Sequence, residues 1–156
     1  PGARRGPFST LSTSTSIARS TMPYELIWEP QGVYRRYYGH VTIEERQRSF
    51  DEICADPRFM SLRYSITDYL DVEGYEITPQ ATEDIADRHV GPLQRNPNIV
   101  IAAAVLDQRI AGAIEHFMSL KRFSQPYRMF ASVDAARAWI GAERQPRAAP
   151  GAKPDE

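Results

Sequence analysis

The chain has 156 residues and a formal net charge of −1, with 42% apolar and 25% charged residues. This length and composition are those of one ordinary globular domain, and no apolar stretch approaches the roughly 18 residues that a membrane-spanning helix needs. The charge also lacks the basic excess that a dedicated nucleic-acid binder carries, so nucleic acid is not an expected partner.

The two ends of the chain differ in composition from the middle. Residues 1–21 contain arginines and many hydroxyl side chains but no acid, and we expect them to be disordered. They are either an organelle transit peptide or translated upstream sequence ahead of a start at Met22. We favour the second interpretation because the regular pattern begins abruptly after Met22. A disordered tail is expected over residues 142–156, which leaves one domain at 22–141.

The first elements are predicted to be a β-hairpin and a helix. Tyr24–Trp28 alternates in polarity, and Val33–His40 is rich in tyrosine, as strands are. Thr42 and Glu45 have the spacing of a capping box, which predicts a helix that begins after Thr42 and ends before Asp56.

A third strand and a second helix follow. Alternation over Leu62–Thr67 predicts the strand, and the acidic stretch Asp68–Glu76 is expected to be a loop. Thr78 and Pro79 are suited to the N-cap and first position of a helix. We expect that helix to end at Gly91–Pro92.

The second half of the chain begins with a continuous apolar run, Asn98–Asp107, which is typical of a strand buried on both faces. Asp107 is the predicted N-cap of a helix whose apolar stripe includes Phe117 and Met118. Tyr127–Phe130 predicts a last strand, and Ser132 predicts the cap of a last helix. The order β-β-α-β-α-β-α-β-α favours an α/β fold with a mixed sheet of about five strands, parallel apart from its hairpin, and about four helices.

This order resembles the anti-anti-sigma (STAS) family with its SpoIIAA-like fold. The residues that carry the resemblance are Tyr64–Asp68, Asn98–Val105 and Tyr127–Ile140, and it covers about residues 23–141. Within that group the chain is most similar to uncharacterised bacterial members grouped with STAS and with the phosphatidylinositol-transfer (CRAL-TRIO) fold. None of these stretches is a catalytic signature.

One departure from the family concerns its switch. The sporulation regulators present a phosphorylatable serine after an aspartate at the end of the third strand, but this chain has Asp68-Tyr69-Leu70-Asp71 there. Since the serine is absent, the resemblance does not carry a kinase-operated partner switch over to this chain.

The candidate ligand- or partner-binding residues are Asp68, Tyr69, Asp107 and Arg109. The stretches that follow the third and fourth strands are expected at one edge of the sheet, where open α/β folds collect ligands. The helices that begin near Thr78 and Asp107 would direct their N-termini toward the same edge. The alternative is that Asp68 and Asp107 only cap and turn the chain.

Other chemistry-bearing residues have ordinary structural interpretations. His89 lies on an apolar helix stripe and is either a core residue or a ligand contact. Cys54, the single cysteine, is most simply a small buried residue, so no disulfide or cysteine-based metal site is expected. Arg35 and Arg36 are mixed with the tyrosines at 34, 37 and 38. These tyrosines either stack on bases or an acidic partner or cover the two faces of a strand, with the arginines at a sheet edge.

The sequence therefore predicts a non-enzymatic STAS-like regulatory or protein-interaction module without a cofactor or metal. A binding protein for a small apolar or lipid-like ligand is the alternative. With one cysteine and no membrane span, a cytoplasmic setting is expected. Homodimers are a further expectation, formed through the tyrosine-rich hairpin or through the helix that carries Phe117 and Met118.

Overall fold

A five-stranded sheet, with its strands side by side in sequence order, organises residues 23–145, which are the residues that the computed structural model describes. Four α-helices connect and cover the strands. The strands are β1 Tyr24–Glu29, β2 Gly32–Val41, β3 Tyr64–Tyr75, β4 Val100–Ala104 and β5 Tyr127–Phe130. The helices are α1 Ile43–Ala55, α2 Pro79–Arg95, α3 Gln108–Ser119 and α4 Val133–Glu143, with a 3-10 turn at Pro57–Ser61 after α1.

The pairing of the strands confirms the predicted mixed sheet. β1 and β2 form an antiparallel hairpin whose turn places Gln31 at φ 61°. Every other neighbouring pair is parallel. The predicted disorder of residues 1–21 and of most of the tail falls on positions 1–22 and 146–156, which lie outside the described residues. α4 continues two residues past the predicted domain end at residue 141.

The helix starts lie where the capping residues predicted them. Thr42 and Glu45 satisfy each other's backbone amides in a complete capping box. The hydroxyl of Thr78 accepts from Ala81, and that of Ser132 accepts from Ala135. Asp107 accepts from the first free amides of α3. These contacts supply partners for amides that have none inside the helix.

Two predicted boundaries are wrong. The acidic stretch Asp68–Glu76 is not a loop, because β3 stays paired with the long strand β2 as far as Tyr75. Gly74 allows this close pairing, since a Cβ at that position would lie 2.3 Å from Nδ1 of His40. α2 does not end at Gly91–Pro92, and it runs one turn further to Arg95. Proline removes only one helical hydrogen bond, and the buried Leu93 holds this last turn in the core.

The two faces of the sheet are covered unequally. One face packs against α1, α2 and α3 through apolar residues such as Ile53, Leu93 and Ile114. Among the described helices, α4 alone packs against the other face, through Ala136 and Ile140. β4 lies between β3 and β5, which confirms the prediction of an interior strand.

The uneven covering bears on the predicted dimer. Phe117 is buried inside the domain, so it does not form part of an exposed patch. Ile27, on the edge strand β1, is 49% exposed. Homodimer formation stays a prediction.

Within residues 23–145, no helix combines the length and apolarity that crossing a bilayer requires.

Candidate functional site

A cavity of about 90 Å³ lies between the sheet and the three helices that cover its first face. One buried water needs at least roughly 10–15 Å³, so the cavity is several times larger than the space that a single water requires. Most of the lining is apolar or aromatic, and it comes from β2, β3, β4, α1, α2, α3 and the 3-10 turn. Ligand sites in proteins have this mixed lining of an apolar wall and a few polar groups.

Arg35 is the main polar group of the cavity. Its Nη1 donates to Oγ of Ser49 at 3.0 Å, and its Nη2 donates to Oγ1 of Thr67 at 2.9 Å. The guanidinium carbon lies 5.1 Å from the ring centre of Tyr37. Its Nε is buried and has no hydrogen-bond partner among residues 23–145. The side chain of Arg35 lies deep in the domain but is only partly buried, because it faces the cavity.

None of the described residues places a carboxylate beside this charge. Aspartate and glutamate are absent from the described residues that line the cavity, whereas Arg46 is a second cation there. Arg46 lies 4.4 Å from the ring centre of Tyr75 and donates to the backbone carbonyl of Glu76. Burial raises the pKa of Tyr75 and Tyr127 well above 10, so these two tyrosines of the wall are neutral. The cavity is therefore electropositive.

His89 joins the aromatic wall of the same cavity. Its ring stacks on Phe50 with ring centres 3.9 Å apart and meets Phe117 edge-on at 4.9 Å. Nδ1 lies 2.7 Å from the carbonyl oxygen of Ile85. A carbonyl can only accept, so Nδ1 carries the proton and Nε2 of the neutral ring is an acceptor. His89 is thus a core residue that also lines the cavity, and its alternative role as a ligand contact stays a prediction.

The protonation of His89 makes stability depend on pH. Burial, aided by the charges of Arg35 and Arg46, lowers its pKa from 6.5 to about 4. Between these values the unfolded chain binds a proton that the folded protein excludes. The contribution of His89 to the free energy of unfolding is therefore fully present above pH 6.5. It falls by about 3 kcal/mol as the pH drops to about 4. Urea titrations across this range measure the loss.

His89→Gln is the control for this pH effect. The glutamine amide can still donate to Ile85 but does not titrate, so its stability should decline less between pH 6.5 and 4. The comparison uses the change in the free energy of unfolding with pH. A constant difference in stability between the two proteins therefore does not affect it. Parallel curves for the two proteins would show that His89 does not exclude the proton.

Asp68, the first candidate from the sequence, lies within β3 and is 5% exposed. Its carboxylate accepts from the hydroxyl of Tyr34 and from the backbone amide of Leu70. Burial and the hydrogen bond to Asp68 raise the pKa of Tyr34. Because Tyr34 packs on the α4 side of the sheet, Asp68 lies on the face opposite the cavity.

The other three candidates lie apart from Asp68. Tyr69 is buried on the cavity face, stacked on Tyr37 with ring centres 5.5 Å apart. Asp107 caps α3, and its Oδ1 accepts from the amides of Arg109 at 2.8 Å and of Ile110 at 3.2 Å. Arg109 is exposed. The structure therefore brings Tyr69 into the cavity and leaves Asp107 and Arg109 on the surface.

An outer groove lies at the edge of the sheet where helix N-termini were predicted to converge. Its lining includes Thr42, Thr78 and Arg109, at the starts of α1, α2 and α3. Tyr75 lines both this groove and the cavity. Tyr75 is therefore next to both spaces.

Arg35 is the functional candidate that the sequence interpretation missed. The arginines of β2 were expected at a sheet edge, and this is wrong because β1 forms the edge and β2 is interior. The strand alternation contained the signal. Arg35 has the same parity as Val33 and Tyr37, which are core residues, so it had to share their face.

Comparison with known proteins identifies the fold. The unphosphorylated anti-sigma factor antagonist SpoIIAA superposes with a TM-score of 0.53 at 9% identity, over 76% of this chain and 97% of that chain. An uncharacterised DUF3478 protein from Shewanella loihica PV-4, with a SpoIIAA-like fold, gives 0.48 at 10% identity, over 75% and 91%. No protein-family model and no curated protein matches the sequence. The chain has the SpoIIAA-like α/β fold that the resemblance predicted.

Proposed function

We propose that this SpoIIAA-like domain binds a small, mainly apolar molecule in the cavity between its sheet and helices α1 to α3. The cavity itself carries the proposal. Protein interiors are packed like organic crystals, and voids larger than a water molecule are few and reduce stability. A void of about 90 Å³, several times the space that one water needs, is therefore uncommon in such an interior.

The composition of the wall supports a ligand that is mostly apolar. Phe50, His89 and Phe117 form an aromatic cluster on one side, and isoleucines from α3 and β4 supply other parts of the lining. Such surfaces gain free energy when they cover apolar groups, at about 25 cal/mol per Å² buried. This function corresponds to the small-ligand alternative that the sequence left open.

A regulatory role, expected from the family resemblance, is the second part of the proposal. It is supported by Tyr75, which lines both the cavity and the outer groove. Occupancy of the cavity and the shape of the groove would then depend on one side chain. The exposed Arg109 of the groove is our candidate partner contact. The proposed role requires no catalysis and no cofactor.

Filling the cavity tests the binding function. Ala113 lines the cavity from α3, and a phenylalanine there adds a ring of about the size of the available space. We expect Ala113→Phe to keep its fold and to lose binding of small probes such as benzamide, benzoate and hexanol. The measurement is a titration followed by backbone amide NMR shifts, together with native mass spectrometry of the purified protein for a bound small molecule.

Gly112→Phe is the matched control, since Gly112 is exposed on the same helix and a Cβ there meets no neighbouring atom within 4 Å. It places the same ring toward solvent, and its titrations should match those of the unmodified protein. Two results would contradict the binding function: no probe shifts the cavity resonances of the unmodified protein, or Ala113→Phe binds probes as well as Gly112→Phe does.

A further inference from the structure

We infer that the ligand of the cavity is an anion, a small monocarboxylate with an apolar body, whose carboxylate pairs with Arg35. This inference rests on the proposed binding function and adds the chemical class of the ligand. Three observations on the described residues support it: a charged side chain inside the domain, the absence of a carboxylate partner, and a buried donor that meets no acceptor.

The cost of burying charge is the starting point. A guanidinium taken out of water without an opposite charge costs several kcal/mol, and buried charges in proteins are usually paired. Arg35 instead meets two neutral hydroxyls and the face of Tyr37. Arginine stays protonated at any ordinary pH, so the guanidinium of Arg35 keeps its charge whether or not a ligand is bound.

The geometry of the donors selects a carboxylate. Arginine presents five N–H groups in a planar fork that matches the two oxygens of a carboxylate. Ser49 and Thr67 occupy part of the fork and fix its orientation, while Nε stays unpartnered. Arg46, also on the wall, adds a second positive charge and disfavours a cationic ligand.

The size and lining of the cavity limit the rest of the ligand. The cavity has space for a ligand with a small body, such as one ring or a short chain, and is too small for a long acyl chain. The aromatic cluster around His89 provides an apolar wall for its body. Because His89 stays neutral and its Nδ1 is already bonded to Ile85, the anion is assigned to Arg35.

The test compares benzoate with benzamide, which has nearly the same shape and no charge. Charge-assisted hydrogen bonds contribute about 1.5–3 kcal/mol, so the unmodified protein should bind benzoate about 10- to 100-fold more tightly than benzamide. In Arg35→Met this preference should disappear while benzamide affinity stays within a few-fold. Benzoate should also shift the NMR signal of the Arg35 Nε–H group, and benzamide should shift it less.

Arg36→Met is the matched control. Arg36 is the next residue of β2, points to the opposite face and pairs with Asp71 and Glu25 on the surface, so its variant should keep the preference for benzoate. Equal affinity of the unmodified protein for benzoate and benzamide would overturn the anion assignment and leave the binding function intact. That comparison requires no variant to fold. If benzoate, benzamide and hexanol all leave the cavity resonances of the unmodified protein unchanged, the binding function itself is overturned.

Discussion

Replacing Ile66 by aspartate is expected to unfold the domain. Ile66 is 0% exposed, in the central strand β3, and its side chain packs among Tyr64, Ala102 and Ile140 under α4. A carboxylate there would lose its hydration without an opposite charge, which costs several kcal/mol. The lost apolar packing adds to this cost, and the sum is comparable with the whole stability of an ordinary domain, about 5–15 kcal/mol.

Circular dichroism and amide NMR dispersion of the Ile66→Asp protein measure the effect. Ile27→Asp is the matched control, because Ile27 is 49% exposed on the edge strand β1 and a carboxylate there stays hydrated. The control should fold, with a free energy of unfolding within about 1 kcal/mol of the unmodified protein. A cooperative melting transition in Ile66→Asp at the normal temperature would show that α4 does not cover β3.

The second large effect is expected at Asn96, the C-cap of α2. Asn96 is 2% exposed, and its Nδ2 donates at 2.9 Å to the carbonyl oxygens of both Phe59 and Leu62. One side chain therefore ties the end of α2 to the 3-10 turn that precedes β3. Asn96→Ala removes both donors from a buried site, so we expect a loss of about 2–4 kcal/mol in the free energy of unfolding.

Asn98→Ala is the control for this prediction, since Asn98 is exposed two residues further along the same connection. Its stability should change by about 0.5 kcal/mol or less, as for most surface substitutions. Urea denaturation of both variants gives the comparison. Equal stability of the two would mean that the carbonyls of Phe59 and Leu62 find other donors when Asn96 is removed.

Much of the fold follows from local rules that act within a few residues. Thr42, Thr78 and Ser132 predicted three helix starts, because a cap is recognised from a hydroxyl followed by helix-forming residues. The apolar run that contains β4 predicted its interior position. Sequential strands of an α/β fold usually lie close together, so the order of the strands in the sheet could also have been predicted.

The errors arose where distant contacts decide the structure. The second half of β3 is acidic and looks like a loop, and it is a strand because β2 supplies its hydrogen-bond partners. Arg36 then pairs with Asp71 across the two strands, at 2.8 Å between Nη2 and Oδ2. A single segment contains no information about a partner that lies some thirty residues away, so its polarity alone was misleading.

In the candidate site, too, local sequence predicted some residues, and distant contacts decided the others. Tyr69 was named from the sequence and lies in the cavity wall, although it was expected in a loop at the edge. Arg35 was seen and assigned to an edge, since one cannot know that β2 is interior before β3 is placed beside it. The cavity depends on the exact packing of three helices on one face, and no sequence pattern encodes a void.

The sequential order of the strands has a consequence for the route by which the chain folds. Each strand after β1 adds beside the strand that precedes it in the sequence, so assembly can proceed from the hairpin toward β5 without waiting for a distant segment. α4 arrives last, and its Arg137 pairs with Glu29 at the end of β1, 108 residues away. A ribosome-bound chain that ends before α4 would expose the side of β3 and β4 that α4 covers. That stage is when the nascent protein is most vulnerable to aggregation.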